Sequence, residues 1–156
     1  MKSTRPRSGR RSKPAPESSP EYVLEEQAGH LLRRAHQRHT ALFMEHIGPH
    51  ALTPTQWAAL CKLRELGSVS QNQLGRLTAI DAATLQGLIQ RLILRGLVTQ
   101  KQDPSDRRRN VLGLTAEGAA VVADCLPHAA RITRKTMAPH SRSEREIFLK
   151  LLQRLT

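Results

Sequence analysis

The chain has 156 residues, 38% hydrophobic but only 3% aromatic, so it is long enough for one domain with an aliphatic core plus a tail. Lys and Arg number 25 against 13 Asp and Glu, a formal charge of +12 that favours polyanionic partners, nucleic acid before anionic membrane. Two cysteines are too few for a disulfide framework, and no apolar run approaches the ~20 residues of a membrane span.

Residues 1–20 carry Lys2, Arg5, Arg7, Arg10, Arg11 and Lys13 against Glu17 and hardly any large apolar side chain. They read as a disordered basic tail, serving either as extra phosphate contact or as a solvated leader. The segment lacks the apolar stretch of a signal peptide, which predicts a cytoplasmic protein. Residues 21–156 keep 19 basic against 12 acidic side chains, so the folded part is basic in its own right.

A long helix is predicted over Tyr22–Ile47, where Val23, Leu24, Ala28, Leu31, Leu32, Ala35, Leu42, Phe43 and Ile47 recur at helical spacing. Gly48-Pro49 ends it. Thr53-Pro54-Thr55-Gln56 forms a capping box with proline at the first helical position, and the helix it opens stops at Gly67. Val69 is a brief extended link. Ser70-Gln71-Asn72-Gln73 reads as a second capping box, for a short helix with Leu74 and Leu77.

Asp81 caps the next helix, Ala82–Arg95, whose apolar stripe is Leu85, Leu88, Ile89, Leu92 and Ile93, with Gly96 as its C′ residue. Leu97–Lys101 and Val111–Leu114 fit paired strands flanking a turn with three consecutive arginines, Arg107 to Arg109. Thr115 caps a further helix, which Pro127 should kink or break. Ser141-Arg-Ser-Glu144 is a third capping box, leading into Ile147, Phe148, Leu151, Leu152 and Leu155. Cys61 and Cys125 lie in apolar helical patterns and read as small buried side chains, with oxidation sensing as the lesser reading.

Helix, turn, helix and a basic hairpin form a set of elements suited to reading DNA. Such a recognition helix reads base edges from its N-terminal half. Ala82 and Ala83 are small enough for close approach, while Thr84, Gln86 and Gln90 fall off the core stripe; Gln can bond adenine bidentately. Arg76 and Arg91 suit phosphate contact.

Leu74-Gly-Arg-Leu77, the Asp81–Leu92 segment, Arg95-Gly-Leu-Val98, Asp103-Pro-Ser-Asp-Arg-Arg-Arg109 and Leu114-Thr-Ala-Glu-Gly118 together resemble the MarR family of bacterial winged-helix repressors. The likeness runs from the first helix to the end of the chain. It is most specific in the Asp-x-Arg wing followed by Leu-Thr-x-x-Gly. It implies a mainly α fold with a small β-hairpin wing: a winged helix-turn-helix whose terminal helices form a homodimer interface. The implied organisation is a tail over 1–20 and one domain over 21–156, with the DNA-binding part about 52–115 and dimerisation helices about 21–48 and 116–156. In the wing, the resemblance assigns Asp106 to orient Arg108 into a minor groove, with Arg107 and Arg109 toward phosphates. The terminal helices carry more aliphatic surface than a thin domain covers, so Leu24, Leu31, Ile147, Phe148, Leu151 and Leu155 are assigned to a two-fold interface.

Members of the family commonly respond to small aromatic acids in a cleft between dimerisation helices and winged domain. The matching surfaces here offer Arg33, His36, His39, Thr40, Phe43, His50 and Trp57: basic or imidazole groups beside an aromatic wall. A narrower likeness, to MarR-type repressors of nicotinate degradation, rests on Gln37-Arg-His-Thr40, Ala51-Leu-Thr-Pro-Thr-Gln-Trp57 and Asp81-Ala-Ala-Thr-Leu-Gln-Gly87. It implies 6-hydroxynicotinic acid as the effector, double-stranded operator DNA and a second copy as partners, and no cofactor. Alternative readings are a regulator sensing a metal or oxidant, or a non-specific architectural DNA-binding protein. His36, His39, His46 and His50 lack a CxxC or HExxH companion, so no metal is assigned. With no Gly-rich phosphate loop, no GxSxG elbow and no carboxylate pair in an apolar setting, no enzymatic activity is expected.

Overall fold

The computed structural model describes residues 22–103 and 110–156. The basic tail and residues 104–109 of the arginine turn lie outside the described residues. A 3-10 turn, Leu24–Glu26, precedes α1 (Ala28–His46); α2 (Pro54–Leu66), β1 (Ser68–Ser70), α3 (Gln71–Thr78), α4 (Ala82–Leu94), β2 (Val98–Gln102), β3 (Asn110–Leu114), α5 (Ala116–Thr136) and α6 (Arg142–Gln153) follow.

Local chemistry sets most of these boundaries. Thr53 Oγ1 accepts from the Gln56 N–H at 3.2 Å while Gln56 Oε1 accepts from the Thr53 N–H at 3.0 Å, completing the first capping box. Ser141 and Glu144 do the same for α6. Helix α4 ends in a Schellman motif: the Gly96 N–H bonds to the Ile93 carbonyl at 2.8 Å and the Leu97 N–H to Leu92 at 3.0 Å. The left-handed residue that this motif needs is Gly96, at φ +70°.

Four expectations need correction. The first helix is not continuous from Tyr22. Gln27 is extended (ψ 130°), and its side-chain Nε2 donates to the Val23 carbonyl at 2.8 Å, closing a separate turn. Gly29, a weak helix former, sits just after the break. The second capping box is half formed: Ser70 Oγ accepts from the Gln73 N–H at 3.3 Å without a reciprocal bond. Pro127 does not break α5, which runs through it. A proline inside a helix costs about 3 kcal/mol, but here Ala123, whose carbonyl loses its partner, is an exposed residue, and buried Val121, Val122, Cys125 and Ile132 hold the helix on both sides. Lastly, the wing is more than a hairpin. β2 and β3 pair antiparallel as expected, but β1 pairs with the other edge of β3, placing Val69 opposite Leu112, in the order β1-β3-β2.

The core lies where α2, α3, α4, the sheet and the first half of α5 meet: Leu60, Leu63, Leu74, Leu85, Leu88, Leu92, Leu112 and Val122 are each at most 1% exposed. Leu-Thr-x-x-Gly fastens α5 to it. Thr115 Oγ1 donates to the Gly96 carbonyl at 2.6 Å and accepts from the Gly118 N–H at 2.9 Å. A Cβ on Gly118 would collide with the Leu97 carbonyl, so glycine is what lets α5 dock. The arms are different: α6 buries none of its residues.

Candidate nucleic-acid interface and effector cleft

Helix α4 separates its two faces cleanly. Leu85, Leu88, Ile89 and Leu92 are buried, whereas Ala82, Ala83, Thr84, Gln86, Gln90 and Arg91 are exposed. At 100° per residue, Ala83, Gln86 and Gln90 fall on one side, opposite the core. The start of the helix is fixed by Asp81, whose Oδ1 accepts from the Thr84 N–H at 2.9 Å. Hydrogen bonding from Thr84, backbone first and side chain second, holds the Asp81 carboxyl below its ordinary pKa. The turn before it places Ala79 in the left-handed region at φ 53° and returns the Ile80 N–H to the Gly75 carbonyl at 3.1 Å.

Arg76 is exposed on α3, at the rim of a shallow hollow of about 210 Å³ between α3 and the start of α4, together with Gln71, Asn72 and Ala82. The wing stem is in place, with Gln102 opposite Asn110 where the turn departs. Asp106, Arg107, Arg108 and Arg109 lie outside the described residues.

The effector candidates divide. His39 and Phe43 share a face of α1, their rings 6.2 Å apart, and His39 Nδ1 lies 2.9 Å from Thr136 Oγ1 on α5. Partial burial holds the His39 imidazole below its ordinary pKa, and neighbouring His36 adds to the effect. Beside them, Thr40 Oγ1 is buried with no hydrogen-bond partner among the described residues. Arg33 and His36 are exposed on the same helix, Arg33 reaching Gln37 at 3.5 Å and His30 at 3.3 Å. Trp57 is half-buried against the core. His50 stands apart: its Nε2 is 3.3 Å from Asp124 Oδ2. Asp124 and Thr136 are separated along α5 by about 18 Å at 1.5 Å per residue, so the α1–α2 loop carries His50 well away from His39. The interface candidates are all open: Leu24 is 49% exposed, Leu31 51%, Ile147 58%, Phe148 40%, Leu151 53% and Leu155 73%.

The model of the MarR family matches residues 52–109, from the start of α2 to the wing. The HTH-type transcriptional repressor NicR of Pseudomonas putida is 41% identical over 90% of this chain and 89% of its own length. The chain belongs to the MarR family of winged-helix DNA-binding regulators. Among solved structures, a Pseudomonas aeruginosa protein described as a probable transcriptional regulator superposes with a TM-score of 0.83 at 48% identity, over 86% of this chain and 100% of that one. Bordetella bronchiseptica BpsR, whose structure addresses regulation of its DNA binding by 6-hydroxynicotinic acid, superposes with a TM-score of 0.82 at 41% identity, over 86% and 96%.

Three further residues lie on or beside the candidate DNA-facing surface of this MarR-family chain. Gln71 and Asn72 were read only as part of a cap, yet they line the hollow beside Arg76. Gly87 lies amid the exposed face of α4, where a Cβ would meet only the Arg91 guanidinium, at 3.6 Å. Protein packing does not demand that glycine; its isolated place in a helical pattern was the available signal. Among the described residues, no three His, Cys, Asp or Glu side chains converge as a metal-binding group, and His46 Nε2 accepts from Lys135 Nζ at 2.7 Å. Burial pushes the thiols of Cys61 and Cys125 up, which disfavours the reactive thiolate. Among the described residues, no helix is long and apolar enough to cross a membrane.

Proposed function

We propose that the protein is a repressor that binds a pseudo-palindromic operator as a homodimer and is released by a small aromatic acid. The observation that carries this reading is the exposed face of α4. Ala82, Ala83 and Gly87 let the backbone approach base edges, and Thr84, Gln86 and Gln90 supply the bonding groups. Arg76 and Arg91 contact phosphates. The wing works alongside, Asp106 orienting Arg108 into the minor groove and Arg107 and Arg109 meeting the backbone. The basic tail over 1–20 adds salt-dependent attraction, and DNA as target implies a cytoplasmic location.

The open apolar faces support the dimer. Fully burying a Leu, Ile or Phe side chain is worth about 1.5–3 kcal/mol, and α6 alone presents Ile147, Phe148 and Leu151 to solvent, with Leu155 just beyond it. A second copy covers them by a two-fold contact.

The effector binds where His39, Thr40 and Phe43 meet α5. A buried hydroxyl without a protein partner is costly unless a ligand group completes it. A neutral imidazole beside an aromatic ring suits a planar heteroaromatic acid, with Arg33 and His36 on the same helix as candidate carboxylate partners. The likeness to NicR and BpsR makes 6-hydroxynicotinic acid the first candidate and nicotinate degradation the first candidate pathway. The ligand acts by population shift, favouring dimers whose reading heads mismatch the half-sites.

The test is a footprint on the gene's own promoter region with and without 6-hydroxynicotinate. The expected result is a protected inverted repeat with half-sites one helical turn apart, lost on adding the acid. Protection without symmetry overturns the operator reading; protection indifferent to the acid, with no shift of the melting temperature, overturns the effector.

A further inference from the structure

The α1–α2 loop is held from two sides. Arg95, which closes the C-terminus of α4, donates from Nη2 to the backbone carbonyl of His50 at 2.7 Å. The His50 ring meets Asp124 Oδ2 of α5 at 3.3 Å. One turn farther along α5, the His128 ring lies 3.3 Å from where a Cβ on Gly48 would stand. Directly after these anchors Ala51 is held at φ 48°, a left-handed conformation that is uncommon for a residue with a side chain.

We propose that Arg95, His50 and Asp124 form a strut that sets the angle of the reading helix relative to α5. The three are positioning residues: none needs to touch DNA. Arg95 ties the last turn of α4 to the loop, and Asp124 ties the loop to the long helix. In a dimer built on the terminal helices, that angle fixes the separation of the two reading surfaces. The inference therefore rests on α4 being the DNA-reading helix.

The rival explanation for exposed Arg95 is direct phosphate contact, and Asp124 separates the two. Removing a carboxylate makes a basic protein more basic, so charge alone predicts equal or tighter DNA binding by Asp124→Ala. The strut predicts weaker binding. The experiment measures fluorescence anisotropy on a duplex that the wild-type full-length protein has selected from a randomised pool, across a salt series.

Asp124→Ala and Arg95→Met should each weaken binding about three- to tenfold, with melting temperatures and salt slopes unchanged. The double variant should lose no more than either single one, because both remove the same link. Arg95→Lys, which keeps a donor, should recover most of the loss. Unchanged or tighter binding by Asp124→Ala overturns the strut, as does a salt slope that falls by about one in Arg95→Met, the mark of a lost phosphate contact. A wild-type protein that enriches no sequence counts against the operator reading instead. The strut is then judged by amide hydrogen exchange: faster exchange in both variants at residues 48–51 and the last turn of α4 supports it, and unchanged exchange overturns it.

Discussion

The winged half of the molecule and its helical arms obey different rules. In the half from α2 to β3, every element sends side chains into one core, and α4 alone buries Leu85, Leu88, Ile89 and Leu92. In the arms, α1 buries only Phe43 of its own residues and α6 none, although both carry apolar stripes. The first region is complete within one chain. The second leaves apolar side chains open to solvent among the described residues, on α6 and on the side of α1 turned away from α5. The contrast teaches that one family fold can pair a module closed around its own core with arms that keep apolar side chains exposed, the pattern expected of a surface that meets another molecule.

The sharpest way to break that comparison is at the seam where α5 leaves the winged half. Gly118→Ala should cost at least about 3 kcal/mol, because the added methyl meets the Leu97 carbonyl, a backbone group fixed by the end of α4. Thermal or urea unfolding checks this; a variant as stable as the wild type would mean that α5 docks differently. Next in size is Leu151→Asp in α6. Placing a charge in the apolar face should weaken the dimer by about 100-fold or more while leaving the helical content of the winged half intact. Analytical ultracentrifugation over a concentration series reads the first and circular dichroism the second. An unaltered dimer would move the interface elsewhere.

The DNA-reading role proposed for the winged half is tested without touching the core. Arg108→Ala should weaken operator binding about tenfold or more, with a melting temperature within about 2 °C of the wild type. Intact binding in a gel-shift titration removes the wing from the mechanism. The smallest effect is a pH dependence. Burial lowers the pKa of His39 in the folded state, so the unfolded chain holds more protons near and below its ordinary value. Stability from this group is therefore present above about pH 6.5 and is lost as pH falls toward the lowered folded value. His39→Gln should flatten that part of the stability profile. An unchanged profile would show that the imidazole does not titrate differently on folding.

Much of the fold was legible because helix ends are chemical events within a few residues. Thr53 with Gln56, Asp81, Gly96, Thr115, and Ser141 with Glu144 each fix a boundary through bonds to near neighbours. The α4 stripe was legible because burial on a helix has a fixed period. The exposed face of α4, proposed to read DNA, followed from it as whatever the stripe left over, whereas the placement of Gln71 and Asn72 beside Arg76 depends on what lies near them in space. The third strand was not legible: Val69 looks like a linker until Leu112 arrives from far along the chain to pair with it. Nor was the survival of α5 through Pro127, which depends on packing before and after the proline and on the exposed position of Ala123.

The residues proposed to bind the effector divide along the same line. His39, Thr40 and Phe43 come together because they are neighbours on one helix, where spacing decides who meets whom. The family resemblance places His50 in the same cleft, and only the path of the α1–α2 loop shows that it faces Asp124. The amino-acid order by itself determined the buried stripe of α4 and most helix boundaries and caps, since each depends on interactions a few residues long. The tertiary structure alone decided the strand partner of β3, the fit of α5 over Gly118, the orphaned hydroxyl of Thr40 and the tie between Arg95 and His50, because those contacts form only when segments distant in the chain are brought together by a common core.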